Sequence, residues 1–393
     1  MIKVSAPGRA DLLNTHQDYK GLPVVPAAIK LRTYVSGVVR EDNVIKVCSS
    51  APDIEPQCDE FKIDDLVFTN VWSDYVKATI RAILGIVKRI IRGAELRIES
   101  DVPIGAGLGS SAALIVSILK WFNEAYDLNL DKKSIAELAF TAEHHILGIP
   151  CGRLDQYSST YGWIIVLNTK YPFSVEYLPM KNLVFVIVDS GEKHSTKIVH
   201  SERQRELREA LSKLLELELP RNLKNILSTN IDEVKWEELR LKILNRYLDD
   251  LPQYLSNRIK FTILMNKSTE LGIKVLKHEK VSIENLLRLE GMESIVRGRK
   301  LNSLLHMLGA IMDYQHMLLR DLYDVSTPHL ENIRNSMIEA GALGVKISGA
   351  GMGGSLIALV KNFDHGKKVL KYALRAGVIN GWILELDEGV RRD

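Results

Sequence analysis

The chain has 393 residues and a hydrophobic content of 46%, which is enough for one large core or two moderate ones, and its length favours two domains. Its charged content of 26% is close to that of globular proteins and argues against disorder. The 52 basic residues nearly balance the 49 acidic ones, leaving a formal charge of +3, so the composition gives no reason to expect a nucleic-acid or anionic-membrane partner.

The first part of the chain has the pattern of an α+β protein. Short apolar or alternating runs predict strands at 1–5, 94–100, 163–168 and 183–189. Longer periodic stretches predict helices at 78–91, 110–127 and 132–146. The helix at 78–91 carries Arg81, Lys88 and Arg89, so it is amphipathic rather than membrane-spanning.

The character of the sequence changes in its second part. Charged helical sequence dominates from 193 to 324, and a glycine loop with a strand follows at 348–360. A further helix and a last strand at 382–386 come after it. The change places a soft boundary near 175–190, and we expect an N-terminal domain over 1–180 and a C-terminal domain over 181–393.

Cysteine usage bears on the cellular setting. Cys48, Cys58 and Cys151 are an odd and sparse set, so they do not indicate a disulfide framework, and no CxxC pair indicates a metal site. The N-terminal residues lack the basic-then-apolar layout of a signal peptide. We therefore expect a cytoplasmic, reducing setting.

A glycine-rich segment, PIGAGLGSSAA at 103–113, carries the strongest local chemical signal. Its glycines let backbone N–H groups converge on a ligand, and the helix predicted after them adds unpaired N–H groups and a positive dipole end. Together they predict an anion site suited to a triphosphate, with serine hydroxyls that can donate to phosphate or help to hold Mg²⁺. The simpler interpretation is a turn that only joins a strand to a helix. The segment has neither the lysine of a P-loop nor the glycine spacing of a Rossmann fingerprint.

This segment resembles PxGxGLxSSAA, a signature of the GHMP kinase family, which includes galactokinase, homoserine kinase, mevalonate kinase and phosphomevalonate kinase. The resemblance implies that ATP is a co-substrate. The residues that it implies for nucleotide binding are Pro103, Gly105, Gly107, Leu108, Gly109, Ser110, Ser111 and Ala112.

Residues 8–21, GRADLLNTHQDYKG, resemble the galactokinase-branch signature GRVNLIGEHTDYNGG. In that branch the acid and the histidine bind sugar hydroxyls, and the arginine lies beside the reacting hydroxyl. The resemblance therefore implies that Thr15, His16 and Asp18 bind the sugar and that Arg9 is catalytic. The simpler interpretation is a polar surface loop with a chance His-x-Asp.

Residues 148–156, GIPCGRLDQ, resemble the family's GxxCGxxDQ. The resemblance makes Asp155 the expected catalytic base and Gly152 a substrate-binding residue. A carboxylate that faces Arg9 would stay ionised, and it could accept the proton of the sugar hydroxyl as the γ-phosphoryl group moves.

Two further segments extend the resemblance. Glu143, in TAEH, matches the family's Mg²⁺-binding glutamate and would pair with Ser111, because a hard cation prefers oxygen ligands. The simpler interpretation of Glu143 is a solvated helix face. The segment KISGAGMGGS at 346–355 resembles K(x)(S/T)GAGxGG(C/S), and its simpler interpretation is a hairpin turn. The residues of this third glycine loop are Ser348, Gly349, Ala350, Gly351 and Gly353.

The resemblance also covers 308–328, which is similar to LGxLMxxSHxSLRDxYxVSxPELD and which we assign mainly to structure. Motifs in this order imply the two-domain α+β fold of the GHMP kinases, with the active site in the cleft between the domains. They imply in-line transfer from MgATP to the C1 hydroxyl of galactose. The expected partners are small molecules, without nucleic acid or membrane, and the expected state is a monomer or homodimer.

Three departures leave the sugar open. Thr15 stands where the signature has a glutamate that contacts the sugar near its C6 hydroxyl, and His329 also stands where the branch has glutamate. The segment 193–203 lacks the tyrosine that lies over the sugar. Threonine cannot accept a charge-assisted hydrogen bond as glutamate does, and it would not repel a carboxylate. Galacturonate therefore stays an alternative substrate, and N-acetylgalactosamine, which is modified at C2, is another. Less favoured alternatives are a mevalonate-type kinase, a non-catalytic sugar sensor and a purely structural protein.

Overall fold

The structure is a computed structural model that describes residues 1–51, 54–87, 91–192 and 196–393. The strands of these residues are β1 (Ile2–Leu13), β2 (Val25–Val39), β3 (Val44–Ser49), β4 (Cys58–Lys62), β5 (Ala94–Ser100), β6 (Ile165–Asn168), β7 (Ser174–Tyr177), β8 (Val184–Asp189), β9 (Gly344–Ser348), β10 (Ser355–Val360), β11 (Asn380–Glu385) and β12 (Arg391–Arg392). The α-helices are α1 (Asp74–Leu84), α2 (Ser110–Ala125), α3 (Lys132–Phe140), α4 (Leu154–Tyr161), α5 (Thr196–Glu216), α6 (Arg221–Lys224), α7 (Leu241–Leu248), α8 (Gln253–Leu276), α9 (Ile283–Leu287), α10 (Met292–Val296), α11 (Leu304–Asp321), α12 (Pro328–Glu339) and α13 (Phe363–Arg375). Shorter helical segments are the 3-10 turns Asp18–Lys20 and Trp236–Glu238 and the π-helix Thr141–Ile146.

The chain divides into two compact units, and each unit is discontinuous in sequence. Unit 1 comprises Met1–Ala10, Ala27–Trp163 and Leu386–Asp393. Unit 2 comprises Asp11–Pro26 and Ile164–Glu385. The divisions near the start of the chain fall inside β1 and β2, so both strands contribute residues to both units. No helix among the described residues is long and apolar enough to cross a membrane.

Unit 1 is built on a sheet with the strand order β12-β1-β2-β5-β3-β4. In β5, Ala94, Leu96 and Ile98 are buried while the residues between them are exposed, which is the period-two pattern of a strand with one covered face. The core that contains these side chains also takes residues from α1, α2 and α3. Trp121 and Phe122 of α2 are completely buried there. Helix α2 is therefore fixed against this core.

Unit 2 contains an antiparallel sheet with the strand order β11-β8-β10-β9 and a separate ribbon of β6 and β7. β10 is buried along its whole length, as its apolar sequence SLIALV leads one to expect. Gly309 of α11 and Gly344 of β9 allow the helix and strand backbones to approach closely. A Cβ atom on Gly344 would lie 2.0 Å from the Gly309 carbonyl oxygen. This approach fixes the strand that leads into the third glycine loop.

Several predicted elements are confirmed in position and type. The strand at 94–100 is β5, the helix at 110–127 is α2, and the strand at 183–189 is β8. The helix predicted at 78–91 overlaps α1 but has the wrong bounds, because α1 begins at Asp74 and ends at Leu84; residues 88–90 lie outside the described residues. The same holds for 193–195 at the start of the predicted helical region.

Two further predictions are wrong in extent. The strand predicted at 1–5 runs to Leu13, because every residue from 4 to 13 is buried and the polar ones among them have partners inside the protein. The helix predicted at 132–146 is an α-helix only to Phe140 and continues as a π-helix to Ile146. The sequence period does not reveal that change in the hydrogen-bond pattern.

The cysteine expectation also needs correction. Cys48 and Cys58 are opposite residues on β3 and β4 and form a disulfide, with their Cα atoms 4.1 Å apart. Sequence spacing alone does not show that the two residues face each other across a strand pair. Cys151 is a free cysteine.

Candidate active site

The glycine-rich segment forms the link between β5 and α2 in unit 1. Gly105, Gly107 and Gly109 have positive φ angles of 76°, 71° and 72°, a backbone conformation that side-chain-bearing residues rarely adopt. Gly109 is the N-cap residue of α2, and no side chain caps the helix there. The first N–H groups of α2 therefore face the loop at the positive end of a 16-residue helix, which is the arrangement that binds phosphate.

Arg9 joins this loop to Asp155. Its Nε donates to Asp155 Oδ1 at 2.8 Å and its Nη2 to Asp155 Oδ2 at 2.7 Å, so the pair is bidentate. The third guanidinium nitrogen, Nη1, donates to the Gly107 carbonyl oxygen. The Arg9 side chain is 9% exposed and that of Asp155 is 27% exposed, so the carboxylate keeps an accessible edge while the guanidinium is enclosed. The strand residue and the first turn of α4 thus hold a carboxylate beside the phosphate loop.

Glu143 lies on the π-helix and is buried next to the start of α2. Its Oε1 accepts a hydrogen bond from Ser111 Oγ at 2.6 Å, and its Oε2 accepts one from Gln156 Nε2 at 2.6 Å. Burial raises the pKa of the Glu143 carboxyl to about 7, although the hydrogen bond from Ser111 acts in the opposite direction. The solvated helix face that was the simpler interpretation is therefore wrong, because Glu143 is only 5% exposed.

The residues around Glu143 fit a magnesium site in which a bound nucleotide would supply the remaining ligands. Among the described residues, no group of three or more His, Cys, Asp and Glu side chains could hold a metal by itself. Mg²⁺ typically takes one or two carboxylates and fills its other positions with water and substrate phosphates. The Glu143 carboxylate and the Ser111 hydroxyl, in hydrogen-bond contact at the phosphate loop, supply such a donor set.

Gly152 precedes α4 in the segment that leads to Asp155, and it is partly exposed. The neighbouring Arg153 is paired with Glu137, its Nε lying 2.9 Å from Glu137 Oε1. Gln156 was not among the candidate residues, although the motif that contains Asp155 ends with it. Gln156 directly follows Asp155 on α4, so its hydrogen bond to Glu143 links the helix that carries Asp155 to the Glu143 carboxylate.

The sugar motif of unit 2 has an unusual backbone. Asn14 and His16 have φ angles of 68° and 64°, in the left-handed region that ordinary residues seldom occupy. Thr15 and His16 are buried, whereas Asp18, at the start of the 3-10 turn, is only partly buried. Strained backbone of this kind is concentrated at functional sites, where the surrounding structure maintains it.

His16 is enclosed by polar and aromatic groups. Its Nε2 lies 3.0 Å from the Ala350 carbonyl oxygen, and its Nδ1 lies 3.2 Å from the Tyr19 hydroxyl. Burial lowers the pKa of His16 well below 6.5, and the neighbouring His200 contributes to the shift, so the imidazole is neutral near pH 7. The rings of His16 and His200 are 4.7 Å apart. His200, from the segment that lacks the expected tyrosine, thus places a ring beside the sugar motif.

The third glycine loop packs against the same motif. Asp11 donates its N–H to Ser348 Oγ at 3.0 Å and accepts a hydrogen bond on Oδ2 from the Gly349 N–H at 3.1 Å. Lys346 is completely buried, and its Nζ donates to the Asp11 carbonyl oxygen at 2.7 Å and to Thr15 Oγ1 at 2.8 Å. In the loop itself, Gly351 and Gly353 have positive φ angles of 83° and 133°. The motif at 346–355 is recognisable by its glycines, and nothing in it predicts that the Lys346 side chain bonds to the sugar motif.

The structure therefore collects the candidate residues into two clusters, one in each unit. The cluster in unit 1 contains the phosphate loop, Arg9, Asp155, Ser111 and Glu143. The cluster in unit 2 contains the sugar motif and the third glycine loop. His329, the other departure from the branch, directs Nε2 to the Ser190 carbonyl oxygen at 3.1 Å.

Family models match three parts of the chain. The model described as "GHMP kinases N terminal domain" matches residues 74–163, and that described as "GHMP kinases C terminal" matches 292–379. The model described as "Galactokinase galactose-binding signature" matches residues 2–38. These ranges include the phosphate loop, the third glycine loop and the sugar motif.

Relatives match along nearly the whole chain. A galactokinase of Pyrococcus furiosus is 29% identical over 379 residues, which are 95% of this chain and 93% of that protein. A galactokinase of Thermococcus kodakarensis is 28% identical over 372 residues, with 93% and 90% covered. The crystal structure of Lactococcus lactis galactokinase complexed with galactose has a TM-score of 0.80 at 23% identity and covers 100% of this chain and 95% of that one. The expected two-domain α+β fold of the family is confirmed, and the chain belongs to the GHMP kinase family, in its galactokinase branch.

Proposed function

We propose that this protein transfers the γ-phosphoryl group of ATP to the C1 hydroxyl of galactose and so forms galactose 1-phosphate. The observation that carries the proposal is the bidentate Arg9–Asp155 pair, anchored to the phosphate loop through the Gly107 carbonyl oxygen. The pair supplies a base and a cation next to a phosphate-binding helix start. The choice of galactose as the phosphoryl acceptor is supported by the similarity to galactokinases.

In the proposed reaction, the C1 oxygen of the sugar attacks the γ-phosphorus and the bond from that phosphorus to the β,γ-bridging oxygen breaks, releasing ADP. The C1 hydroxyl proton passes to the Asp155 carboxylate, whose exposed edge can receive it. Arg9 orients that carboxylate and counters the negative charge of the transferring group. The N–H groups of the phosphate loop hold the triphosphate, so most of the acceleration comes from positioning and electrostatics.

Ser111 and Glu143 are the proposed Mg²⁺ ligands, and the ion, when bound, would neutralise charge on the β- and γ-phosphates. Gln156 orients the Glu143 carboxylate through its hydrogen bond to Oε2. Ser110 and the loop residues Pro103 to Ala112 belong to the nucleotide site. These assignments follow from the motif positions and from the Ser111–Glu143 contact.

His16, Asp18, Thr15 and Gly152 are the proposed sugar-binding residues. A site that hydrogen-bonds particular hydroxyls rejects analogues that lack them, so Asp18 would select the ring configuration. We further propose that residues 1–180 and 181–393 form the two functional domains, that the enzyme is cytoplasmic, and that it acts as a monomer or homodimer.

A second candidate is a 1-kinase for a galactose-like sugar that is modified, such as galacturonate or N-acetylgalactosamine. The observation that favours galacturonate is the buried Lys346 amino group, whose Nζ donates to Thr15 Oγ1 at 2.8 Å, since Thr15 stands where the branch signature has glutamate. A carboxylate at C6 of the sugar would face the Thr15 hydroxyl there, and it would not be repelled as it would be by the glutamate of the branch signature.

A substrate panel separates the two candidates. ADP release with MgATP is measured against galactose, N-acetylgalactosamine, galacturonate, glucose and mevalonate. We expect the highest kcat/KM for galactose. A higher value for galacturonate or N-acetylgalactosamine would replace the first candidate by the second, and a preference for mevalonate would contradict both.

The base is tested by the Asp155→Asn variant. Without the carboxylate the proton has no acceptor, so we expect kcat to fall by about 10²–10⁴-fold. Binding of a fluorescent ATP analogue should stay within about twofold of the wild type, because the phosphate loop is unchanged. The matched control is Asp250→Asn, an exposed position in unit 2, which should leave kcat unchanged. Full activity of the Asp155 variant would remove Asp155 from the mechanism.

A further inference from the structure

Lys20 is a lysine without access to solvent, near the C-terminal end of the sugar motif, residues 8–21. It is 0% exposed, and its Nζ lies 4.8 Å from the ring centroids of both Phe261 and Tyr323 and 5.5 Å from that of Tyr19. Its Nζ donates a hydrogen bond to Thr262 Oγ1 at 3.1 Å. We call Tyr19, Phe261, Thr262 and Tyr323 the lysine cage. The branch signature has asparagine at this position, so the lysine is a feature of this chain.

The stability of the fold does not explain a lysine at this position. Burial lowers the pKa of the Lys20 amine well below its ordinary value of 10.5, while the nearby Asp18 charge acts in the opposite direction. An apolar side chain of similar length would fill the same space without the cost of burying an amine. We therefore look for the role of Lys20 in the geometry of the groups around it.

The lysine cage is itself held rigidly. Glu206 Oε2 accepts hydrogen bonds from Arg203 Nη1 at 3.0 Å and from Arg258 Nε at 2.7 Å, and all three residues are buried. Arg203 Nε donates to the Tyr323 carbonyl oxygen at 2.8 Å. The Phe261 and Tyr323 rings are stacked, with their centroids 3.9 Å apart. Two helices, α5 and α8, thus fix the rings that receive Lys20.

The lysine cage is also connected to the sugar motif. The Tyr19 and Tyr323 hydroxyls are 2.7 Å apart, and the Tyr19 hydroxyl lies 3.2 Å from His16 Nδ1. The Lys20 N–H donates to the Gln17 carbonyl oxygen at 3.0 Å, which closes the turn that begins with Asp18. Lys20 therefore lies at the end of a turn whose other end carries the proposed sugar-reading carboxylate.

We infer that Lys20 is a positioning residue for sugar recognition: its side chain, seated in the lysine cage, fixes the turn Asp18–Lys20 so that Asp18 presents its carboxylate to the sugar while the Tyr19 hydroxyl holds the His16 ring beside it. The inference rests on the proposed function. Lys20 does not touch the sugar, because it has no exposed surface. It acts through the turn and through the Tyr19 hydroxyl.

The test compares Lys20→Met with Lys368→Met. Methionine keeps the length of the side chain but removes the donor to Thr262 and the attraction to the rings. Lys368 is the matched control, because its Nζ also lies over a ring, 6.0 Å from that of Tyr372, but on an exposed position of α13. For Lys20→Met we expect the KM for galactose to rise about tenfold, the KM for MgATP to stay within about twofold, and the midpoint of thermal unfolding not to fall. Lys368→Met should change none of these.

The opposite pattern would overturn the inference. If Lys20→Met lowers the unfolding midpoint but leaves the KM for galactose unchanged, Lys20 is only a structural residue. Phe261→Leu is a second test, because it removes one ring of the lysine cage and leaves Lys20 itself unchanged. The two substitutions should raise the KM for galactose by similar factors, and the double variant should be no worse than either one, since both act on the same seat. Additive effects would contradict a shared cage.

A readout without substrate separates this inference from the proposed function. Failure of the wild type to bind or phosphorylate galactose would remove the proposed function alone. With selectively ¹³C-labelled histidine, the His16 ring signals should shift in Lys20→Met and stay in place in Lys368→Met, because the Tyr19 hydroxyl joins the lysine cage to His16. Unshifted His16 signals in Lys20→Met would overturn the positioning role whatever the substrate.

Discussion

At the scale of single residues, Gln17 is an unpaired polar group inside the sugar motif. Its side chain is 0% exposed, and within the described residues neither the amide nitrogen nor the amide oxygen has a hydrogen-bond partner. A buried amide without a partner loses the hydrogen bonds that water would give it. The motif thus combines an unsatisfied side chain with the left-handed backbone of Asn14 and His16, and both features cost stability, as is common at functional sites.

This residue gives a prediction of increased stability. Gln17→Met keeps the length of the side chain and removes both unpaired atoms, so we expect the free energy of unfolding to rise by about 1–3 kcal/mol. Urea unfolding measures the change. Gln57→Met, at an exposed position, is the control and should stay within about 0.5 kcal/mol of the wild type. A loss of stability in Gln17→Met would show that the amide has a partner in solution.

The roles that sequence could predict at this scale are those carried by short motifs. The spacing of 103–113 predicts positive glycine φ angles and a helix that follows them, and the structure has both; phosphate binding there stays a prediction. The burial of Lys20 and Lys346 could not be predicted, because each lies among residues that are distant in sequence. Lys20 meets α8 more than 200 positions later, and nothing in its own neighbourhood distinguishes it from a surface lysine.

At the scale of elements, the connection between β2 and β3 passes over the start of β5. The Arg40 N–H donates to the Gly93 carbonyl oxygen at 2.8 Å, and Asp42 Oδ1 accepts a hydrogen bond from the Val44 N–H at 3.2 Å. Arg40 Nε donates to the same Asp42 oxygen at 2.8 Å. The carboxylate of Asp42 therefore closes a crossover that brings β3 parallel to β5.

Asp42 gives a prediction of pH dependence. The hydrogen bond from Arg40 is the main cause that lowers the pKa of Asp42 from 3.8 to about 2. Because the folded state holds the carboxylate in its charged form, the stabilisation is complete above pH 3.8 and is lost as the pH falls through about 2. A ¹³C carboxyl NMR titration should give the low value, and Arg40→Met should move it back towards 3.8. An unchanged titration in Arg40→Met would mean that the loop backbone alone sets the pKa.

The strand pair β3–β4 gives a prediction about the disulfide. The Cys48–Cys58 bond spans a sequence separation of 10. Closing a loop of this size removes conformational freedom from the unfolded chain that is worth about 2–3 kcal/mol. We expect a reductant to lower the free energy of unfolding by about this amount in the wild type and in Cys151→Ser, and to have no effect in Cys58→Ser. Three reactive thiols in the unfolded, unreduced wild type, instead of one, would show that the bond is absent.

Element prediction succeeded where the pattern is local and failed where neighbours decide. Helix α2 was predicted because its apolar residues recur at helical spacing over 16 residues. The extension of β1 through Arg9 and Asp11 was missed, since polar residues usually end a buried strand. Here burial of the two polar side chains is possible because each residue has hydrogen-bond partners, Asp155 for Arg9 and the third glycine loop for Asp11.

At the scale of the whole molecule, residues 386–393 complete unit 1. β12 pairs with β1, with Arg392 opposite Val4 and Arg391 opposite Ser5. Arg32 of β2 is 3% exposed and donates to Asp387 Oδ2 at 2.9 Å and to the Gly389 carbonyl oxygen at 2.9 Å. The segment therefore supplies the acceptors for a buried cation as well as an additional strand.

Removal of this segment tests how much unit 1 depends on it. Deletion of 386–393 leaves the Arg32 guanidinium buried without these acceptors, so we expect a loss of about 3–5 kcal/mol in the free energy of unfolding, or failure to fold. Adding Arg32→Met to the deletion should recover part of the loss, because the unpaired charge is then removed. Urea unfolding and the yield of folded protein measure both variants. Equal stability of the deletion and the full chain would contradict the structural role of the segment.

The fold class and the family could be predicted from the order of the motifs, but the composition of the two units could not. Pairing of β12 with β1 joins residues separated by nearly the whole sequence, and a two-residue strand has no recognisable pattern. That residues 11–26 belong to unit 2 likewise could not be predicted from the sequence, because it depends on contacts with α8 and β9.

The discontinuity of the units has a consequence for biosynthesis. A ribosome adds about 5–20 residues per second, so roughly 20–80 s separate the emergence of β1 from that of β12. Throughout that interval unit 1 lacks residues 386–393, and residues 11–26 await the chain segment 164–385 that completes unit 2. Neither unit can reach its final form as an early, independent intermediate. The nascent chain therefore keeps apolar strands unpaired for tens of seconds, which makes it a natural client of chaperones that bind during translation.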